Sequence, residues 1–470
     1  MKRKSKAPMI VAAVLALALV AGGGFLAWSL LRGAAPAAAK GLPKDTLAVV
    51  EVNLNPSAGD KLAVKDLAAK FPALAGKVNA AGDDYKAAVY ANTIAALSPD
   101  APDYEADVKP WLGDSVAVGV VKSGDSSDVS SAQPVVSIQV TDKDKAQEFV
   151  NAQFSGTNVF FVDDLMILTG EHSGITEESL KNGNLTANEG YTADMAKLGD
   201  GFLATAWASE EAISAYAETS MDTSLPANYR GRSAFGLKVE DGSLALRTVT
   251  WSENAPKAGG NVTDLAAGLP GDWLGAAAAA VPSEAVDQVW ETLVNANDPS
   301  IQQGLEKVGI TSADDLRTLL GKQISFSGNT DQGMPKFVVK VRTDDPEGHK
   351  KLIEDIVNNG LAIGDSGLQV ETTVQGDVVV TTINANASEL DSGPKLGDNE
   401  GYQKAIKGIS DPQSVVWVDV PKVVSLVEEQ MPDGLDREVK ENLDPITGFG
   451  GASTRLDDHY TDSWLRITTK

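Results

Sequence analysis

The second half of this sequence repeats short blocks of the first half in the same order. The tetrapeptide Asn188-Glu189-Gly190-Tyr191 recurs identically at 399–402, an offset of 211 residues, and Gly41-Leu42-Pro43 recurs at 268–270, an offset of 227. Ordered self-similarity of this kind is the signature of a duplicated structural unit. We therefore predict two tandem copies, residues 41–255 and 266–470, joined by a linker of residues 256–265.

Four further correspondences lie beside predicted strands: Trp111-Leu112-Gly113-Asp114 with Leu319-Leu320-Gly321-Lys322, residues 135–140 with 337–341, Trp207 with Trp417, and Phe235-Gly236 with Phe449-Gly450. Within a copy, apolar periodicity predicts the order strand, helix, helix, strand, strand, helix, hairpin, helix, strand, helix, hairpin. The hairpins depend on the dipeptides Asp163-Asp164 and Asp241-Gly242. This order lacks regular βαβ alternation, so it indicates the α+β class, with a mixed or antiparallel sheet in each copy.

The first copy opens with an aliphatic segment, Thr46–Leu54, which predicts a strand. Apolar residues at spacings of three and four then predict a helix over Lys61–Val78. Pro72 lies inside this segment and predicts a kink or a break, because proline removes a backbone donor.

The N-terminal segment predicts a membrane anchor. Met9–Leu31 contains no charged residue, and its 23 residues span about 34 Å as a helix, enough for a bilayer core of about 30 Å. Residues 1–8 are basic and predicted to be cytoplasmic, residues 32–40 form a tether, and the remainder lies outside the cytoplasm. A cleaved signal peptide ending near Ala37-Ala38-Ala39 is the alternative, and it exports the same residues.

The composition excludes several classes of function. Five of the 40 basic residues lie at or before Arg32, which leaves 35 against 65 acidic residues and a charge of about −30 on the exported part. Such a surface repels phosphate backbones, so no nucleic-acid partner is expected. The chain has no cysteine, which excludes thiol catalysis, disulfides, thiolate metal sites and lipid attachment through cysteine.

The sequence supports no catalytic, cofactor-binding or metal-binding residue. His172, His349 and His459 lie far apart and fit no zinc motif. The Ser-x-x-Lys spacing of Ser392 and Lys395 is interrupted by Gly-Pro, which predicts a loop rather than a catalytic helix. The acidic doublets, such as Asp314-Asp315, match no calcium loop, and that doublet is typical of a first helical turn.

A family resemblance follows from the start of the exported part. The anchor, Leu-Pro-x-Asp-Thr leading into a strand, Asn-Pro-Ser-Ala-Gly, and a helix ending at Phe71-Pro72 together resemble the bacterial family of unknown function DUF3352. The resemblance implies a membrane-anchored envelope protein, and we expect it to extend over the chain after the anchor. The family offers no catalytic residues to transfer.

The sequence therefore predicts a single-pass, extracytoplasmic protein of the cell membrane that binds an envelope protein, a lipid or a wall component without catalysis. Two alternatives remain open. One is a carboxylate-based envelope hydrolase, because acidic residues are plentiful. The other is a lipid carrier or chaperone-like protein, which the Ala-rich helix faces near Ala63–Ala75 permit.

Overall fold

The chain forms two compact units, one within Met1–Asn254 and one within Ala255–Lys470, and we call the described residues of these ranges unit 1 and unit 2. The computed structural model describes residues 37–75, 84–92, 101–122, 132–153, 157–170, 173–219, 230–253, 255, 257, 259–295, 299–331, 334–359, 368–386, 390, 392–430 and 435–470. The predicted anchor Met9–Leu31 lies outside these residues. Among the helices that are described, none has both the length and the apolar character needed to cross a bilayer.

Eight strands are described in unit 1, and every pairing between them is antiparallel. They are β1 (Ala48–Asn53), β2 (Leu112–Val121), β3 (Gln133–Val140), β4 (Thr157–Val162), β5 (Leu165–Gly170), β6 (Ala204–Ala208), β7 (Gly231–Glu240) and β8 (Ser243–Ser252). Their order across the sheet is β4-β5-β3-β2-β1-β6-β7-β8.

The described helices of unit 1 are α1 (Ala58–Ala69), α2 (Tyr85–Asn92), α3 (Lys143–Gln153), α4 (Glu177–Asn182), α5 (Glu189–Leu198) and α6 (Glu210–Thr219). Two 3-10 helices, Ala38–Gly41 and Leu185–Ala187, and a π-helix, Tyr104–Val108, complete the set. Successive strand residues point to opposite faces of the sheet, and other elements of the unit pack against both faces. One packs Val118 and Val136 against Trp111 and α3, and the other lies under Ala38–Gly41 and α5.

Eight strands are also described in unit 2: β9 (Gly275–Ala280), β10 (Gln323–Asp331), β11 (Met334–Arg342), β12 (Val370–Gln375), β13 (Val378–Ile383), β14 (Ser414–Asp419), β15 (Ile446–Arg455) and β16 (Tyr460–Thr469). Their pairings are antiparallel. Their order is β12-β13-β11-β10-β9-β14-β15-β16, which is the order of unit 1 with each strand number raised by eight. The predicted α+β class is confirmed, and of the two predicted kinds of sheet, mixed or antiparallel, the described strands pair in the antiparallel kind.

The described helices of unit 2 are α7 (Thr263–Ala267), α8 (Ser283–Asn295), α9 (Pro299–Lys307), α10 (Ala313–Leu320), α11 (Pro346–Asn359), α12 (Glu400–Ile406), α13 (Val420–Gln430) and α14 (Arg437–Leu443), with a 3-10 helix at Leu396–Asp398. A core of Trp417, Tyr402, Leu396 and neighbouring residues lies under α7 and α12. Val286, Ile310 and Leu316 form a separate cluster among the helices that precede β10.

Strand register defines equivalent positions in the two units. Trp207 pairs with Val49 and Ala234, whereas Trp417 pairs with Ala276 and Gly450. The predicted correspondence of the two tryptophans agrees with this register. The correspondence of Phe235-Gly236 with Phe449-Gly450 is wrong by two residues, because Gly450 occupies the position of Ala234. The segments that precede these strands differ in length, because Ala234 follows Trp207 by 27 residues and Gly450 follows Trp417 by 33, so a sequence offset does not carry through them.

Local signals explain the first helix and the hairpins. Helix α1 begins at Ala58 because the Ser57 side chain accepts the N–H of Asp60, and it ends at Ala69, before Pro72. The predicted break near Pro72 is confirmed, but the predicted start at Lys61 is three residues late. Both predicted hairpin turns are present, with positive φ at Asp163 (48°) and Asp241 (49°).

Candidate functional site: the clasp and the cleft of unit 1

The two repeated sequence blocks meet in space. Asn188 precedes α5, where its Oδ1 accepts the N–H of Tyr191 at 3.0 Å and its Nδ2 donates to the Lys44 carbonyl at 3.0 Å. The N–H of Leu185 also donates to the carbonyl of Leu42 at 2.8 Å. We call this set of contacts, between residues 42–44 and 184–191, the clasp of unit 1. It joins the first residues of the unit to the start of a helix about 140 residues later in the chain.

Unit 2 contains the same clasp. Asn399 Oδ1 accepts the N–H of Tyr402 at 3.0 Å, and its Nδ2 donates to the Gly271 carbonyl at 3.2 Å. Leu396 donates to the carbonyl of Leu269 at 2.8 Å. Asparagine suits this position because its side-chain amide offers an acceptor to the helix and a donor to the neighbouring carbonyl. The repeated blocks are therefore accounted for by structural contacts.

The tyrosine of each block packs edge-on against the tryptophan of the following strand. The ring centroids lie 5.5 Å apart for Tyr191 and Trp207, and 6.4 Å apart for Tyr402 and Trp417. Edge-to-face packing of this kind adds about 0.5–1.5 kcal/mol to the burial of the rings. The clasp thus continues into the aromatic core of each unit.

The two units differ next to this tryptophan. In unit 1, the buried carboxylate of Asp194 accepts the indole N–H of Trp207 at 2.8 Å and two guanidinium N–H groups of Arg232, at 2.9 and 3.1 Å. The Arg232 guanidinium lies 4.0 Å from the centroid of the Trp251 ring. Hydrogen bonds between charged groups of this kind are shorter and stronger than neutral ones.

In unit 2, smaller residues occupy the positions of this ion pair. Ala405 is equivalent to Asp194, because each lies six residues after the asparagine of its clasp. Gly448 is equivalent to Arg232, because each lies two residues before the strand partner of the tryptophan in its unit. The ring of Trp417 fills the space, since a Cβ at Gly448 would lie 1.9 Å from its Cη2. Among the described residues, the indole Nε1 of Trp417 is buried without a hydrogen-bond partner.

A cleft of about 620 Å³ opens beside the clasp of unit 1. It is lined by Pro43, Lys44, Asp45, Val121, Lys122, Ser173, Gly174, Ile175, Ser179, Gly183 and Asn188. Lys44 and Asp45 are exposed, and Lys122 Nζ lies 2.7 Å from Glu211 Oε1. The lining therefore combines charges of both signs with apolar surface from residues such as Val121 and Ile175, which suits a ligand that carries a polar group rather than a bare acyl chain.

The Ser179 hydroxyl in this cleft serves the fold. It accepts the N–H of Thr176 at 2.9 Å and donates to the Thr176 carbonyl at 2.8 Å, as part of the cap of α4. A nucleophilic serine would instead donate to a general base. Among the described lining residues, the cleft presents one carboxylate, Asp45, whereas glycoside hydrolysis commonly uses a pair.

Among the residues considered from sequence, those that the structure describes are absent from the lining of this cleft. His172 is outside the described residues. His349 is buried, with its Nδ1 2.8 Å from the Thr318 carbonyl, and His459 is exposed in a turn. The Lys395 ammonium donates to the Leu390 carbonyl, and Asp314 and Asp315 lie in the first turn of α10, as expected. Within the described ranges, no three His, Asp or Glu side chains converge in a manner that could hold a metal ion.

Glu51 is a buried carboxyl that the sequence analysis did not single out. It lies on β1 between Val49 and Asn53, on the side of the sheet under Ala38–Gly41, and is 3% exposed. Burial raises the pKa of Glu51 to about 7, against the opposing effect of the Ala39 and Ala38 N–H groups and of Lys40. The signal in the sequence was an acid at an inward position of an otherwise aliphatic strand.

The comparisons with known proteins give a resemblance to a family but no activity. Residues 9–159 match the family model described as "Protein of unknown function (DUF3352)". No curated protein matches the chain. A solved structure titled "Structure of crystal form I of TP0453" aligns with 74% of this chain and 92% of its own, at 6% identity and a TM-score of 0.15, a likeness too low to bear on fold or function.

The family match confirms the resemblance predicted from sequence over a shorter range than expected. It begins at Met9, ends within β4 and includes the segment predicted as anchor. Over residues 9–159, this chain therefore resembles the family of unknown function DUF3352.

Proposed function

We propose that this chain is a non-enzymatic protein of the cell envelope, held at the membrane by Met9–Leu31, which binds a polar envelope component in the cleft of unit 1. The cleft is the observation that carries this proposal. It has a volume of about 620 Å³, and Lys44, Asp45 and Lys122 bring charged groups to its lining. A cleft of this size and lining accommodates a polar group of a wall component or of a protein.

The position of the cleft supports a role close to the membrane. Ala38 and Ala39 are buried and belong to the folded unit, so few residues separate Leu31 from unit 1. The cleft includes Pro43, Lys44 and Asp45, which follow within seven residues of Ala38. A ligand bound there would lie near the outer end of the predicted anchor.

The strand order and the clasp support a duplication as the origin of this architecture. Both units place eight strands in the same order and join the same two sequence blocks through an asparagine. We propose that unit 2 arose as a copy that kept the clasp and exchanged the Asp194–Arg232 pair for small residues. Binding then belongs to unit 1, where the cleft lies.

Crosslinking from Asp45 tests the proposed binding. The chain has no cysteine, so Asp45→Cys gives one attachment point for a photoactivatable benzophenone in the full-length protein in envelope membranes. Asp66→Cys, on the exposed side of α1, is the matched control. We expect a defined adduct from position 45 that position 66 does not give.

Lys44→Glu should weaken that adduct about tenfold, because a hydrogen bond to a charged group contributes about 1.5 kcal/mol. Identical patterns from positions 45 and 66 would contradict binding at the cleft. An adduct with lipid would instead favour the lipid carrier. An adduct with a polymer that is shortened on prolonged incubation would favour the carboxylate-based hydrolase.

A further inference from the structure

A buried acid holds the first turn of unit 1. Oε1 of the Glu51 carboxyl group accepts the N–H of Ala39 at 3.1 Å, whereas the 3-10 helix Ala38–Gly41 has no side-chain cap of its own. Ala38 and Ala39 are 0% and 3% exposed, and Glu51 is 3% exposed. The turn therefore covers the acid, and the acid caps the turn from the sheet below.

The surroundings of Glu51 are mostly uncharged. In the sheet it is flanked by Ala117 on β2 and Thr205 on β6. Two titratable groups act on it electrostatically: Lys40, exposed on the 3-10 helix, and Tyr191 on α5. Burial, together with the charge of Glu51, raises the pKa of Tyr191 as well, so this phenol stays neutral in the physiological range.

Unit 2 shows that the fold does not require this acid. Val49 and Ala276 are equivalent in register, so the position of Glu51 corresponds to Ala278, which is 3% exposed in the core of unit 2. Helix α7 lies over the unit 2 sheet without a carboxylate from that position. The acid is therefore particular to the unit that directly follows the predicted anchor.

We propose that Glu51 is a pH-sensitive latch: protonated, it stays beneath residues 38–41 and holds them on unit 1, and ionised, it favours their release. An ionised carboxylate is costly in a site without water, and the turn of residues 38–41 covers it. Lifting this turn would let water reach the charge. The latch would thus change how firmly unit 1 is attached to its N-terminal segment.

The direction of the pH effect follows from proton linkage. The pKa of Glu51 is about 7 when the turn is closed and about 4.5, the ordinary value, when it is open. The closed state then binds more protons, so its advantage is full below pH 4.5 and is lost as the pH rises through 7. Between pH 6 and 8, the opening equilibrium should increase about tenfold.

Hydrogen exchange of the full-length chain in detergent micelles tests the latch. After correction for intrinsic rates, protection of the amides of Ala39, Lys40 and Leu42 should fall about tenfold from pH 6 to 8. The equivalent amides of unit 2, at 266–269, are the internal control and should stay constant. In Glu51→Gln, the amides of residues 39–42 should lose their pH dependence.

Two results would overturn the proposal: protection at residues 39–42 that follows the unit 2 control, or a pH dependence that survives in Glu51→Gln. If the glutamine variant does not fold, Glu51→Ala serves in its place, since alanine is the residue that unit 2 carries there. This outcome is independent of crosslinking at the cleft. Either proposal can therefore fail alone.

Discussion

Replacing Asp194 with alanine should lower the free energy of unfolding of unit 1 by about 3 kcal/mol. The change leaves Arg232, whose side chain is 18% exposed, without its partner carboxylate and leaves the indole N–H of Trp207 unbonded. Breaking a buried ion pair costs about 3–5 kcal/mol, and the partial exposure of Arg232 favours the lower value. Urea unfolding of the full-length chain, followed by tryptophan fluorescence, would measure the effect.

The control for this prediction copies unit 2. In Asp194→Ala with Arg232→Gly, both charges are absent and the residues are those of Ala405 and Gly448. We expect the double variant to be no less stable than Asp194→Ala alone, because it also removes the guanidinium that has lost this carboxylate. A loss below about 1 kcal/mol in Asp194→Ala would show that the pair contributes little to the fold.

Replacing Gly401 with alanine should destabilise unit 2 by about 2 kcal/mol. The new Cβ would lie 2.5 Å from Cη2 of the Trp417 ring, and the ring has no room to retreat because it also lies against Gly448. Overpacking costs about 1–3 kcal/mol, a contact this close favours the upper value, and the better helix propensity of alanine offsets about 1 kcal/mol of it. Thermal or urea unfolding of the full-length chain checks the expected loss.

The matching change in unit 1 is Gly190→Ala. There the nearest atom is Nε of Arg232, at 2.9 Å, so a small displacement of this side chain within its ion pair with Asp194 relieves the contact. Alanine also favours a helix over glycine by about 1 kcal/mol, so we expect a net change within about 0.5 kcal/mol. Equal losses of stability in the two variants would contradict the inference that the Trp417 ring fills, in unit 2, the space that the Asp194–Arg232 pair occupies in unit 1.

The order of elements was predictable because its signals are local. Turn dipeptides such as Asp241-Gly242 fix a hairpin within four residues, and alternating apolar residues mark each strand nearby. The recurrence of Asn-Glu-Gly-Tyr also indicated two similar units. The role of its asparagine did not follow, because Asn188 and Lys44 are 144 residues apart and meet through the fold.

The contacts inside each unit depend on register, which sequence spacing does not specify. Arg232 reaches Asp194 from a strand that follows 38 residues later, and the equivalent glycine in unit 2 is Gly448. The predicted pairing of Phe235-Gly236 with Phe449-Gly450 placed this region two residues out of register. The sequence did not predict the cleft, because its lining comes from segments that lie far apart in the chain, at residues 43–45, 121–122 and 173–188.

Labelling of Asp45→Cys in intact bacterial cells tests most directly on which side of the membrane the folded units lie. The variant gives the full-length chain a single exposed thiol beside the cleft. We predict that a membrane-impermeant maleimide labels it in intact cells and that the labelled protein remains with the membrane fraction. Labelling only after the membrane is permeabilised would contradict an extracytoplasmic protein held by Met9–Leu31.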